Sequence, residues 1–227
     1  MKNRVLFFLA CLLLSASSLP AQPDERPIRF LVHAEPQAGW LHPMERHLTG
    51  DTVRAGISAG LRMDIRLRKH TALSFGVDWN HTAGNLYYQN PVIIDRVYGL
   101  DTLGAGASLI YRMQYLEIPV ALKFFLPEIG YTTLFCEAGL DPMFNTGATL
   151  TQKPRGFNKE SFVQGVAHFN LAYHAGIGFI YSFGEHLALQ VLALYENTFL
   201  DVTRENEVRT DDNTRLNQVG LSVGLIF

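Results

Sequence analysis

Leu216-Asn217-Gln218-Val219-Gly220-Leu221-Ser222-Val223-Gly224-Leu225-Ile226-Phe227 closes the chain. Successive side chains of an extended segment point to opposite faces. Val219, Leu221, Val223, Leu225 and Phe227 therefore share one face, and Gln218, Gly220, Ser222 and Gly224 share the other. A strict period of two ending on an aromatic predicts a membrane-crossing strand, the last of an antiparallel barrel. Phe227 is then the C-terminal assembly signal, which implies barrel assembly machinery and outer-membrane lipid as partners.

The same period recurs upstream. From Val53 to Leu67, Val53, Ala55, Ile57, Ala59, Leu61, Met63, Ile65 and Leu67 alternate with Arg54, Gly56, Ser58, Gly60, Arg62, Asp64 and Arg66. Thr71 to His81 sets Leu73, Phe75, Val77 and Trp79 against Ser74, Gly76, Asp78 and Asn80, and Gln114 to Leu126 sets Leu116, Ile118, Val120, Leu122 and Phe124 against Glu117, Ala121 and Lys123. Tyr131 to Met143, His168 to Phe183 and His186 to Glu196 read alike, and Ile28 to Gly39 is a first strand interrupted by Pro36. Eight strands result, so the expected fold is all-β, an eight-stranded antiparallel up-and-down transmembrane barrel. A ten-residue strand rises about 33 Å, enough at a tilt near 40° to cover an apolar band of roughly 25 Å.

Connection lengths alternate as well. Arg68 to His70, Pro127 to Gly130 and Gly184 to Glu185 are tight turns; Trp40 to Thr52, Asn80 to Tyr111, Phe144 to Val166 and Asn197 to Arg215 read as long polar loops. Outer-membrane barrels have this asymmetry, with short periplasmic turns and long outer loops.

The N-terminus fits that destination. Lys2 and Arg4 precede an apolar run from Val5 to Leu14 and a small-residue stretch ending at Ala21, which predicts a signal peptide over residues 1–21 and a barrel domain over 22–227. Cys11 behind Phe8-Leu9-Ala10 is a poor match to a lipoprotein signal. The chain has 19 basic and 21 acidic residues; loss of Lys2 and Arg4 leaves 17 basic ones and a formal charge of −4. No basic patch points to nucleic acid. Cys136 is the one cysteine left, so no internal disulfide or cysteine metal cluster is expected, and no spacing of the His-Glu-x-x-His kind appears.

Alternation alone fits a soluble lipocalin-like barrel with its apolar face inward, and the polar face decides between the two. Gly56, Gly60, Gly76, Gly139, Gly176, Gly178, Gly220 and Gly224 fall on it, among Arg54, Arg62, Glu117, Lys123, Glu137 and Gln190. Glycine weakens a strand and is useful where something approaches closely. In a crowded lumen it makes room for long polar side chains, so the apolar face is assigned to lipid. Arg54, Arg62, Asp64, Arg66, Glu117, Lys123 and Glu137, with Glu196, are read as a lumen charge cluster that pairs internally as structural filling, because eight strands enclose little more than their own side chains.

Tyr115-Leu116-Glu117-Ile118-Pro119-Val120-Ala121-Leu122-Lys123-Phe124 resembles the signature strand of the PorT-like family of outer-membrane β-barrel proteins. The resemblance extends through Ala138-Gly139, Ala175-Gly176-Ile177-Gly178 and the C-terminal strand, over nearly all of the mature chain. It implies Tyr115, Leu116, Glu117, Ile118 and Pro119 as the signature positions. Some members of that family are tied to secretion across the outer membrane, which implies an accessory role in that process. The inserts at Asn80 to Tyr111 and Phe144 to Val166 depart from the family's pattern where partners would be met.

Other features have plainer explanations. Trp40, Tyr87, Tyr88, Tyr98, Tyr111, Tyr195 and Phe199 are expected in an interfacial aromatic girdle. Arg204 to Arg209 and Asp211-Asp212 read as a solvated loop, whereas Pro91-Val92-Ile93-Ile94 would either dock on the rim or meet a partner. Eight histidines and several serines form no local catalytic motif. The functional expectation is a non-enzymatic Gram-negative outer-membrane protein with no catalytic residue, cofactor or metal, whose long loops engage envelope proteins. Two alternatives stand beside it: a lipid-modifying outer-membrane enzyme and a soluble periplasmic ligand-binding barrel.

Overall fold

The computed structural model describes residues 27–44, 48–50, 52–96, 99–153, 159–183, 187–203 and 213–227. The leader and its cleavage site lie outside these residues, as do Tyr98, the Gly184-Glu185 turn, and Arg204 to Arg209 with Asp211-Asp212. The described strands are β1 (Ile28–Pro43), β2 (Leu48–Gly50), β3 (Arg54–Arg68), β4 (Thr71–Tyr88), β5 (Val92–Arg96), β6 (Gly99–Leu103), β7 (Ala107–Glu117), β8 (Val120–Phe125), β9 (Thr132–Lys153), β10 (Glu160–Ser161), β11 (Phe169–Ser182), β12 (Ala188–Thr198) and β13 (Thr214–Ile226).

Eight staves close into one antiparallel ring: β1, β3, β4, β7 with β8, β9, β11, β12 and β13, which pairs back onto β1. Closure removes the free edges that make open sheets prone to aggregation. β7 and β8 form one stave broken at Ile118-Pro119, where proline has no N–H to give to the ladder. The first and last strands meet at the inner rim, where Phe30 and Phe227 exchange backbone hydrogen bonds of 3.1 and 2.9 Å and stack at 6.2 Å.

The outside of the ring is apolar. Val32, Leu61, Val77, Leu122, Leu140, Ile177, Val219, Leu221 and Val223 are exposed, while His33, Arg62, Asp78, Lys123, Glu137 and His174 on the opposite faces of the same staves are buried. A pairing register slipped by one residue would exchange these two sets, so the facing itself specifies the register.

Three expectations need correction. The stretches Asn80 to Tyr111 and Phe144 to Val166 are not simply loops: β4 continues to Tyr88, β7 begins at Ala107, and β9 runs to Lys153. The cause is an inversion of polarity along the staves. On β7, Glu117 faces the lumen and Leu116 the lipid; nearer the outer end, Leu109, Tyr111 and Met113 face in, while Arg112 and Gln114 face out. Above the membrane the solvent changes from lipid to water, so the buried face becomes the apolar one. No single face stays apolar along the stave, and a search for one ends where the membrane ends. For the same reason Tyr88 and Tyr111 are not girdle residues: both are buried inside the outer end, their hydroxyls 3.1 Å apart. Tyr87, Tyr195 and Phe199 are exposed and Trp40 is half-buried on the outward face. Finally, Pro36 does not break β1. Pairing with β3 runs straight through it, Pro36 opposite Ile57, and only the rungs toward β13 skip Glu35 and Pro36.

Pro91-Val92-Ile93-Ile94 enters a separate hairpin, in which β5 pairs with β6 from Val92 opposite Leu103 to Arg96 opposite Gly99.

Candidate functional site

The lumen is layered. At the inner end Leu31, Ala72, Phe125, Phe135, Ile180, Ala188 and Ile226 pack together, and at the outer end Leu41, Leu86, Leu109, Met113, Met143, Leu150 and Leu216 form a second apolar plug. The outer connections help to fill it. Phe162, Val166 and Val202 are buried in this plug, Phe162 edge-on to Tyr111 at 6.1 Å. Asp201 holds that turn together by accepting from the Thr203 N–H (2.9 Å), the Thr203 hydroxyl (2.8 Å) and the Thr214 N–H (2.9 Å).

Between the plugs lies a polar network to which all eight staves contribute. Arg62 of β3 directs Nε (3.1 Å) and Nη2 (2.7 Å) to Asp78 Oδ2 of β4, and Nη1 to Glu137 Oε1 of β9 at 3.2 Å. Lys123 of β8 gives Nζ to Asp64 of β3 at 2.9 Å and to Gln190 of β12 at 3.2 Å, and stands 3.6 Å from Glu137. His174 of β11 lies between two carboxylates of β9, 2.6 Å from Asp141 and 3.5 Å from Glu137. His33 of β1 bridges Asp78 at 3.0 Å and Ser222 of β13 at 3.1 Å.

Three further carboxylates, Glu35, Glu117 and Glu196, line a small cavity of about 10 Å³ together with Arg62, Asn80 and His174. Asn80 Nδ2 donates to Glu117 at 2.7 Å, and Gln218 Nε2 donates to Glu196 at 2.8 Å. A space of that size holds about one water molecule, far less than a ligand site needs.

Glycine makes this layer fit. A methyl group at Gly60 would overlap the Asp78 carboxylate and the Val77 carbonyl, and one at Gly220 would overlap the Glu35 carboxylate. These are close approaches of long polar side chains to the opposing backbone, the circumstance in which a strand tolerates glycine.

Of the lumen residues read from the sequence, the structure brings Arg62, Asp64, Lys123 and Glu137 into direct contact and places Glu117 above them on Asn80. Arg54 and Arg66 are set apart at the two ends of β3. Arg54 is level with Gly39, and Arg66 lies at the inner turn, its Nη1 3.0 Å from the Lys69 carbonyl and its guanidinium 4.3 Å over Phe125. Among the signature positions, Tyr115 and Glu117 face in, Leu116 and Ile118 face lipid, and Pro119 makes the break in the stave. Sequence reading missed His33, Glu35, Asp141 and His174. The period-two pattern already placed His174 opposite Ile177 and Phe179; His33 and Glu35 lie on β1, which proline disguised.

Ser222, His33 and Asp78 have the connectivity of a hydrolytic triad, with the imidazole between hydroxyl and carboxylate. Their setting is enclosed. Ser222 is 2 % exposed and its hydroxyl faces the sealed lumen, with the inner apolar plug beneath it. Asp78 is also held by Arg62.

An antiparallel eight-stave barrel with an apolar belt outside and a closed polar interior is an integral outer-membrane β-barrel. The chain belongs to the family described as outer membrane protein beta-barrel domain, whose model matches residues 21–191. A comparison with curated proteins finds no match. Among solved structures, Neisserial surface protein A is similar at 12% identity and a TM-score of 0.46, over 88% of this chain and 96% of that one. OprG from Pseudomonas aeruginosa is similar at 13% identity and a TM-score of 0.44, over 91% and 98%. The outer membrane enzyme PagL is similar at 12% identity and a TM-score of 0.31, over 85% and 97%.

Proposed function

We propose that this protein is a non-enzymatic, PorT-like scaffold of the Gram-negative outer membrane, which holds its outer connections against other envelope proteins as an accessory to secretion. The supporting observation is the filled lumen: among the described residues two apolar plugs and a cross-linked polar layer leave no path for a solute, so the surface available for function is outside the ring. The β5–β6 hairpin, which stands apart from the barrel sheet, is the segment assigned to partner contact. The PorT-like assignment and the secretory role rest on the Tyr115 to Phe124 signature.

Photo-crosslinking from residues 93–95 in the native host tests this reading. A specific envelope protein captured there supports it; capture of lipid alone rejects it. The mature protein is expected to begin at Gln22 and to stay in the outer-membrane fraction, with a mobility that shifts on boiling.

The Ser222–His33–Asp78 chain favours one second reading, a lipid hydrolase. A fluorophosphonate probe separates the two: the scaffold reading requires that the folded barrel stay unlabelled in lipid vesicles, and labelling abolished by Ser222→Ala overturns it.

A further inference from the structure

The lipid-facing wall is not uniformly filled. Where β9, β11, β12 and β13 run side by side, small outward residues leave an apolar groove of about 600 Å³ lined by Cys136, Ala175, Ile177, Ala193, Tyr195 and Val219. Ala138 is paired directly with Ala175, and Ile177, 71 % exposed, stands on the ladder between Cys136 and Ala193. This wall lies in the hydrocarbon band, so what fills the groove there is an acyl chain.

The outer end of the groove is polar. The Tyr195 hydroxyl donates to Asn217 Oδ1 at 2.7 Å, and Asn197 Nδ2 donates to the same oxygen. Trp40 is paired across from Asn217, at the depth where tryptophan marks the membrane interface. One step farther on the same face, about 7 Å along β13, comes Arg215, with exposed His42 directly opposite. Arg215 forms no ion pair among the described residues, and its Nε has no hydrogen-bond partner.

We propose that this groove and its polar cap form a specific site for an outer-leaflet lipid with a phosphate-bearing headgroup. One acyl chain lies along Ala175 and Ala193, and the phosphate meets Arg215. Arginine suits this role because its planar fork matches phosphate and its stem passes along apolar surface. The site concerns the wall of the barrel and does not depend on the partner role proposed above.

Native mass spectrometry of the folded barrel released from detergent tests the site, with lipid A and its dephosphorylated form as probes. The wild type is expected to retain a single lipid A, and the dephosphorylated form at least about tenfold more weakly, the discrimination one charge-assisted contact supplies. Ala193→Phe fills the groove and should reduce retention of both lipids, whereas Arg215→Gln should remove only the preference between them. Ala59→Phe, on the outward face of β3, is the control and should bind as the wild type does. Heat-shifted mobility establishes that each variant is folded, and Ala175→Leu replaces Ala193→Phe if the latter does not fold. Undiminished retention in the groove-filled variant, or equal retention of the two lipids by the wild type, overturns the proposal.

Discussion

Replacing Lys123 by methionine is the sharpest probe of the network. Its ammonium is fully buried, 2.9 Å from Asp64, 3.2 Å from Gln190 and 3.6 Å from Glu137. The three contacts do not lose equally. Glu137 keeps Arg62 at 3.2 Å and His174 at 3.5 Å, but Asp64 loses its ion pair, and its other oxygen already has no hydrogen-bond partner. The dominant cost is therefore an uncompensated carboxylate inside the barrel, about 3–5 kcal/mol when one member of a buried pair is removed. Methionine retains most of the stem volume, so little of that cost comes from a cavity. The assay is the urea midpoint of the folded barrel in lipid vesicles, followed by the mobility shift. Asp64→Asn combined with Lys123→Met should recover more than half of the lost stability, since it removes the stranded charge. A loss below about 1 kcal/mol for the single variant, the size of a solvated surface pair, would show that the lumen is hydrated and the network is not what holds the staves.

Other expectations follow from the two faces and the plugs. Leu61→Arg puts a cation on the lipid face near the middle of the band and should cost about 2–4 kcal/mol in the same assay, whereas Ser58→Ala on the lumen face should cost far less. Gly60→Ala forces the Asp78 carboxylate aside and should cost about 1–3 kcal/mol, the range for overpacking; an unchanged midpoint would contradict the close approach. Leu109→Ala leaves a void in the outer plug and should destabilise by about 2–5 kcal/mol. In planar bilayers the wild type should show no stable conductance steps, and regular steps would refute the sealed lumen.

Much of the site was legible in the residues, for a reason specific to small barrels. Inside eight staves inward positions at the same depth reach one another, so a list of polar positions near mid-barrel is close to a list of neighbours. Arg62, Asp64, Lys123 and Glu137 were found this way. Pairing was another matter. Asp78 lies opposite Gly60 on the ladder, yet its partners include His33 of β1, which does not pair with β4. Arg66 shares a face with Arg62 but ends at the inner turn, because its depth along the strand outweighs its facing.

Alternation along the chain determined an eight-strand antiparallel ring, and the glycines set among long charged side chains on its polar face determined that this face fills the lumen while the apolar face meets lipid. Each of these follows from a side-chain period of two and a solvent that is lipid on one side only. The tertiary structure alone decided how far the staves continue beyond the membrane, which tyrosines turn inward there, and how the lumen is closed. Above the bilayer the inward face stays buried but turns from polar to apolar, and the partners of each charge are set by the tilt and stagger of staves distant in sequence, which no local pattern encodes.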